Sequence, residues 1–446
     1  MKRQPTELLK ALVALIRRGL FEDFAAKAAK MEPADLGDVL ASLDGQERVD
    51  VVRRLPPELS SQALVEMPEE AHPGETLAAL DPAEAAHIVE QLEDDDAADI
   101  LGELEPEEQQ RILAEVEDRP DVERLLRYDE ETAGGLMTTH LVSVLVTDTI
   151  AGALESVRKQ AEETEDFGNV FVMDGASRLM GVLSFKTLVV SDPDRRVEEV
   201  MEPADVTVGP EEDQEEVARL MARYNVPSIA VVDADGRLLG RVTFDDVIDV
   251  VEAETTEDIL RFGGVSAHED LGAPWSTAVK SRAPWVFVNL LTAFIASSVI
   301  VLFEDVLVRA VALAAYLPIV AGLGGNTGTQ ALAVTVRRLA LRQIPVDQSV
   351  RVIRKEMAVG LTNGLLAGSA VAIVALATGQ GPRLGLVVLM AMVGNLFLGS
   401  SVGAFVPLLL NRVGVDPAVA SSIFVTAFTD TCGFALLLGL SSWIIL

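Results

Sequence analysis

Asp430 is the sole carboxylate in the apolar segment from Pro417 to Leu446 and lies near its middle. A charge at mid-bilayer depth costs about 2.5–3.5 kcal/mol on insertion scales, so such a residue faces a bundle interior or a watery path and marks function. The competing reading, a structural ion pair, needs a cation at matching depth, and the other apolar segments offer almost none. Ser422 and Thr426 precede Asp430 by eight and four residues and so share its helical face. Another apolar segment carries Pro318 and then Gly322-Leu323-Gly324-Gly325-Asn326-Thr327-Gly328-Thr329-Gln330. Glycines with a proline predict irregular backbone, which is tolerated at membrane depth only where it is buried or lines water. Close helix packing through small residues accounts for Gly324 and Gly325 but not for Asn326, Thr329 and Gln330. Freed carbonyls around Gly325, an amide and hydroxyls are hard oxygen ligands that suit Mg²⁺, Ca²⁺ or the waters of a hydrated ion. These residues point to a path for a cation.

A second set of acids precedes the membrane segments. Asp245, Asp246, Asp249, Glu252, Glu254, Glu257 and Asp258 follow one another at spacings of one to three residues. On a helix, Asp245, Asp249 and Glu252 share one face, and Glu254, Glu257 and Asp258 a neighbouring one. Each like-charge pair destabilises an isolated helix by a few tenths of a kcal/mol. A solvated acidic face is the usual reading of such a run; against an equally acidic domain the repulsion needs relief, which divalent cations supply. Upstream, Glu93-Asp94-Asp95-Asp96 with Asp99 adds more charge than solubility requires.

Composition divides the chain near Ala283. Residues 284–446 carry six acidic and nine basic side chains, and the whole chain 69 and 36, which leaves 63 and 27, a net of −36, for residues 1–283. A surface that acidic repels nucleic acid and anionic lipid and attracts cations. Ala11–Ile16, bounded by Lys10 and Arg17-Arg18, is too brief for a signal segment and reads as an amphipathic helix, so the acidic body is expected in the cytoplasm. Cys432 is the single cysteine, and His72, His87, His140 and His268 lack ligand spacing, which disfavours disulfides and zinc. Apolar stretches at 284–303, 306–336, 357–378, 384–410 and 416–446 are each long enough to span about 30 Å of hydrocarbon. The connection 337–355 holds Arg337, Arg338, Arg342, Arg351, Arg354 and Lys355 against Asp347. It is therefore expected on the cytoplasmic side, with the last span ending outside.

Two repeats organise the acidic body. Pro33, Pro57, Pro82 and Pro106 recur at 24, 25 and 24 residues, each ahead of helix-forming residues. Units that short must stack, predicting a helical solenoid. From 134 to 254 a strand–helix–strand–turn–strand order occurs twice: Asn169–Asp174 with Gly181–Ser184, and Pro227–Asp233 with Gly240–Thr243. This order resembles a tandem pair of CBS domains, regulatory modules that often bind adenine nucleotides. The ribose-binding pattern of that family is Ser/Thr, two residues, Asp. The second copy has it as Thr243-Phe244-Asp245-Asp246, and the first departs from it as Ser184-Phe185-Lys186-Thr187. Any ATP site implied by the resemblance therefore falls on Thr243 and Asp246. The expected division is an acidic helical domain at 1–127, the CBS pair at 128–246 (about 134–196 and 197–246), a connecting helix and linker at 247–283, and a five-span membrane domain at 284–446.

Nearly the whole chain resembles the MgtE family of magnesium transporters. The residues that carry the resemblance are Pro318 with Gly324–Gln330, Asp416-Pro417-Ala418, Thr429-Asp430-x-x-Gly433-Phe434 and Ala133-Gly134-Gly135-x-Met137, in the same domain order. The resemblance implies a homodimer in the cytoplasmic (inner) membrane, with a pore on its two-fold axis and Asp430 facing hydrated Mg²⁺. It also implies that cytosolic Mg²⁺ bridges acidic faces and swings the connecting helix to close the pore. By motif position Asp246, Asp249, Glu254, Glu257 and Asp258 match the acids of that helix, and Asp213 and Glu215 those of the CBS region; Asp94, Asp95 and Asp99 belong to the N-domain set. Ser422-Ile423 departs from the family's Gly-Pro or Asn-Pro.

The expectation is a Mg²⁺ channel or transporter driven by membrane potential, since no Gly-x4-Gly-Lys-Ser/Thr phosphate loop occurs. Alternatives are a transporter whose main cargo is Co²⁺, Mn²⁺ or Ca²⁺, and a CBS-regulated anion transporter, which would call for basic residues at the membrane midpoint. A Mg²⁺ sensor that transports nothing leaves the second-span motif unexplained. An intramembrane enzyme is disfavoured: aspartyl chemistry needs two coupled carboxylates, and every histidine precedes the membrane half.

Overall fold

The computed structural model describes residues 5–68, 71–117, 119–161, 168–265, 275–341, 344, 348–417 and 422–445. His268, Arg342, Asp347 and Ala418 lie outside the described residues. Two compact units divide the chain, Met1–Ala253 and Glu254–Leu446.

The first unit opens with α1 (Pro5–Arg17), α2 (Phe21–Ala28), α3 (Pro33–Ala41), α4 (Gly45–Val52), α5 (Pro57–Val65), α6 (Pro73–Ala78), α7 (Pro82–Val89), α8 (Asp94–Gly102), α9 (Pro106–Leu113) and α10 (Arg119–Leu125). The four periodic prolines open α3, α5, α7 and α9, where a missing N–H costs nothing. Helix α4 starts with a capping box in which the Glu47 N–H donates to Asp44 Oδ1 at 2.8 Å. Helices α3, α5, α7 and α9 pack in succession as one row, and α4, α6, α8 and α10 as a second. Leu36, Leu40, Leu64, Leu77 and Leu101 are fully buried between the rows, each stabilising by about 1.5–3 kcal/mol. Arg48, also buried, bridges neighbouring repeats by donating to the carbonyls of Leu40 at 3.1 Å and of Ala71.

The α/β part repeats one topology. In the first copy β1 (Ser143–Leu145) lies parallel to β2 (Asn169–Met173), which pairs antiparallel with β3 (Leu179–Ser184), and α11 (Ile150–Gln160) and α12 (Phe185–Val190) complete it. The second copy has β4 (Thr207–Val208), β5 (Ser228–Val232) and β6 (Leu238–Thr243) in the same arrangement, with α13 (Gln214–Tyr224) and α14 (Phe244–Phe262). The β5–β6 turn uses Gly236 at φ +77°, and Ser177 takes the matching left-handed position in the first copy. Second-copy residues Val217, Val231 and Val242 join the solenoid core, whereas the first copy keeps its own around Val144, Val170 and Leu183.

The second unit holds α15 (Trp275–Leu302), α16 (Glu304–Arg309), α17 (Leu317–Ala340), α18 (Ser349–Ala377), α19 (Pro382–Arg412) and α20 (Ser422–Ile444). Among its described residues, five helices are long and apolar enough to cross a membrane. The first of them starts at Trp275, ahead of Pro284, which lies inside it. Helix α19 is central and packs on α17, α18 and α20. Gly360, Gly364 and Gly368 let α18 approach it: a Cβ on Gly364 would sit 2.8 Å from Val393 Cα.

Candidate functional site

The sequence motif of the second apolar segment folds without a break, which corrects the expectation of freed carbonyls around Gly325. Pro318 sits in the first turn of α17, and the helix continues through all four following glycines to Ala340. The glycines serve contact instead. A Cβ on Gly324 would lie 2.1 Å from Asn395 Nδ2, and one on Gly328 2.5 Å from Val425 Cγ1. At Gly325 the nearest atoms are Thr426 Cγ2 at 3.3 Å and Thr429 Oγ1 at 3.7 Å, so the structure brings Gly325 and Thr426 together. Asn326 and Gln330, one turn apart on α17, are exposed in the single chain; Thr329, Ser422, Thr426 and Asp430 are half-buried, and Ser421 lies outside the described residues.

Asp430 makes no hydrogen bond or ion pair with any described residue. The structural ion pair weighed against its role as an ion site therefore finds no support here. Asn395 is a site residue that sequence reasoning passed over, although it is a lone amide deep in an apolar segment. It is fully buried, its Nδ2 donates to the Val320 carbonyl at 2.9 Å, and its Oδ1 is buried without a partner. It also lies 2.7 Å from where a Cβ on Gly433 would stand, so one amide holds α17, α19 and α20 at the level of the motif.

In the first unit the N-domain acids separate into two roles. Asp94 is buried and saturated: it accepts from Thr138 Oγ1 at 2.7 Å, from the Thr139 N–H at 3.0 Å and from Thr139 Oγ1. It ties α8 to the segment leading into the α/β pair. Asp95, equally buried, has an Oδ1 with no partner. Burial raises its pKa well above the usual carboxylate range, and Asp96, Asp246, Asp94 and Glu93 push it further. Burial, then Asp246 and Glu93, lifts Asp96 to about 7. Asp246 is also raised, chiefly by burial, while the hydrogen bond from Thr243 opposes the shift. Asp249 is raised by burial and by Glu252 and Asp245. These groups form one under-neutralised patch between α8 and the start of α14. Asp99 lies on the same helix as Asp95, one turn on.

Asp213 does different work. Its carboxylate caps α13, accepting from the Glu215 N–H at 2.9 Å, and neither residue is among the leading charges on the Asp95–Asp96–Asp246 patch. Thr243 and Asp246 do meet: the Thr243 N–H donates to Asp246 Oδ2 at 3.2 Å and its hydroxyl donates to the same oxygen. In the first copy Ser184 and Thr187 pair the same way with no charge, Oγ to Oγ1 at 2.8 Å.

Within the second unit the end of α14 forms another acidic knot. Arg261 Nη1 lies 2.6 Å from Asp416 Oδ2, and the same guanidinium pairs with Glu257. Asp258 is raised by burial first and then by Asp416 and Glu257, with Arg261 opposing. Three carboxylates thus share one cation. Asp416, legible in sequence only as part of a motif, is the second residue missed. Phe262 packs against Leu332, Val336 and Val425, and a Cβ on Gly264 would stand 3.1 Å from Ile423 Cδ1. Among the described residues no three His, Cys, Asp or Glu side chains converge closely enough to hold a metal ion.

Comparison with known proteins gives a consistent result. A family model described as the divalent cation transporter MgtE matches residues 317–440, one described as the MgtE intracellular N domain matches 31–131, and a CBS domain model matches 197–253. The chain is 41% identical over 329 residues to the magnesium transporter MgtE of Thermus thermophilus, covering 72% of each. It is 30% identical over 442 residues to that of Bacillus subtilis, covering 98% of this chain and 97% of the relative. Among solved structures, the cytosolic domain of the Mg²⁺ channel MgtE in complex with ATP is 37% identical, with a TM-score of 0.51 over 54% of this chain and 99% of that one.

The acidic patch predicts an unusual pH response. Asp96 binds its proton more tightly folded than unfolded, so the stability it contributes is full below about pH 3.8 and is lost as pH rises to about 7. Thermal melting of fragment 1–262 without divalent ions should show Asp96→Asn gaining at least about 2 °C at pH 7.5 and little at pH 4. An equal gain at both pH values would mean that the charge plays no part.

Proposed function

Because the chain belongs to the MgtE family of divalent cation transporters, we propose that it conducts Mg²⁺ past Asp430 and that cytosolic Mg²⁺ closes the path. It is a transporter and not an enzyme. The observation that carries the reading is Asp430 itself, half-buried in an apolar helix with no protein partner among the described residues. A carboxylate in that state is stable if its partner is the passing ion. Mg²⁺ sheds water reluctantly, so the site need hold only the hydrated ion: Asp430 supplies the charge, and Asn326, Thr329, Ser422 and Thr426 supply amide and hydroxyl contacts to its waters. The unbroken α17 removes backbone carbonyls from that set and leaves Gly325 as the space beside Thr426. Membrane potential drives the ion inward, with about 4.6 kcal/mol per 100 mV for two charges.

Closure rests on the crowded carboxylates of these two clusters, where acids outnumber the cations beside them. Divalent ions entering between Asp95, Asp96, Asp246 and Asp249, and around Glu254, Glu257, Asp258 and Asp416, relieve repulsion in one conformation and not in another. A ligand shifts an equilibrium only through such differential affinity. Among the described residues no three ligands converge in this conformation, and on this reading the bridging sites form as the acidic faces approach. Asp213 and Glu215 supply a further acidic face, and the saturated Asp94 anchors α8. The relative solved with ATP supports nucleotide binding, and the ribose-binding pattern puts that nucleotide at Thr243 and Asp246 on this reading. A broader divalent cargo, with Co²⁺, Mn²⁺ or Ca²⁺, is favoured by the description of the matching family, and competition flux ranks the ions.

A two-fold partner fits the surface. Phe185 and Val189 on α12 and Phe244, Ile248 and Val251 on α14 are apolar and 49–59% exposed in the single chain. Positions 244, 248 and 251 make one helical stripe, as a second copy of the same surface requires. Phe244→Asp with Ile248→Asp should turn the full-length protein monomeric in detergent by light scattering; an unchanged dimer mass would place the interface elsewhere.

Asp430→Asn should cut Mg²⁺ uptake into proteoliposomes by about 100-fold or more while leaving the melting temperature near that of the parent chain. Flux at the parental rate would remove Asp430 from the path.

Converting Asp246, Asp249, Glu254, Glu257 and Asp258 together to amides should leave conduction and flatten its dependence on cytosolic-side Mg²⁺. Steep inhibition surviving in patch-clamp recordings would put the sensor in other acids.

A further inference from the structure

A cavity of about 450 Å³ lies where the end of α17 meets the start of α18, lined by Arg338, Ile344, Gln348, Arg351, Val352 and Lys355. Three of the six described residues that line it are cationic, in a chain of net charge −33. Neither Arg338 nor Arg351 has an ion-pair partner among the described residues, and the Lys355 ammonium reaches only Glu356, at 3.8 Å. Gln348 stands at the start of the 29-residue helix α18, on the cavity wall.

The preference for basic residues on the cytoplasmic side explains why cations stand at this level. It does not explain why three of them line one concavity or why Ile344 and Val352 line it with them. Cations and an apolar wall in one concavity, at the junction of two helices long and apolar enough to cross a membrane, match a phosphate attached to an apolar body. We infer that the cavity binds the headgroup of an anionic phospholipid. Such a headgroup clamps the connection between α17, which carries Asn326 and Thr329, and α18 to one leaflet. The site is separate from the ion path and independent of how Mg²⁺ closes it.

The test uses the purified full-length chain in detergent, melted with added phosphatidylglycerol, phosphatidylcholine or inorganic phosphate. Phosphatidylglycerol should raise the melting temperature saturably, and the other two should not. Arg338→Gln with Arg351→Gln should weaken that response by about tenfold or more in lipid concentration, whereas Arg337→Gln with Arg354→Gln, which removes the same charge outside the cavity, should change it by less than about twofold. Arg338→Lys with Arg351→Lys keeps the charge and the insertion signal and should retain most of the response, which separates headgroup binding from misfolding. Equal responses in the parent chain and the first Gln pair, equal losses in both Gln pairs, or full stabilisation by inorganic phosphate would each overturn the proposal.

Discussion

A carboxylate taken out of water needs a cation, a donor or a proton, and this chain supplies too few of the first two. Asp94 obtains donors from Thr138 and Thr139 and becomes an anchor. Asp95, one residue on, obtains none for Oδ1. Asp96 is lifted to about 7, so near neutral pH its charge is set by its surroundings as much as by solvent. The same shortage recurs around Arg261, where Glu257, Asp258 and Asp416 compete for one guanidinium. Packing elsewhere in the first unit makes this shortage tolerable. The solenoid core and the second α/β copy share one continuous apolar cluster, so repulsion at the α8–α14 patch is held by burial at some distance from it.

The second unit meets the opposite constraint. Without a hydrophobic driving force between helices in lipid, association rests on close contact and a few buried polar bonds. Gly360, Gly364 and Gly368 supply contact for α18, Gly324 and Gly328 supply it for α17, and Asn395 supplies the polar bond at the centre. The motif proposed to carry the ion chemistry is therefore also a packing motif. Gly324 makes room for Asn395, and Asn326, two residues away, stays on the open side of the same helix.

Much of this was legible before any coordinates. Proline periodicity set the solenoid, because a proline at a helix start is a local constraint that packing does not override. The doubled strand order set the α/β pair, and apolar length set the spanning helices. Less was legible where one residue type serves two ends. Glycines near a proline read as a broken helix, yet α17 is continuous, because neighbouring helices fill every gap the glycines leave. Asn395 went unread for a related reason: a single amide in an apolar run gains meaning only from the carbonyl it meets, and Val320 lies 75 positions away in the chain. The acids read as a set in the sequence, and only side-chain partners separate Asp94 and Asp213, which hold structure, from Asp95 and Asp96, whose pKa values burial raises.

The paired copies of the α/β fold bear on how such a device arises. Ser184 with Thr187 and Thr243 with Asp246 occupy the same corner of a duplicated unit, with the same reach from strand end to helix start. One corner is neutral and the other charged, and the backbone is indifferent to which. A duplicated domain thus carries a silent twin of its own charged corner, one side chain away from gaining or losing that charge. Descendants of a single ancestral pair can differ in which half carries the charged corner, or in whether either does, with no change of fold to record the difference.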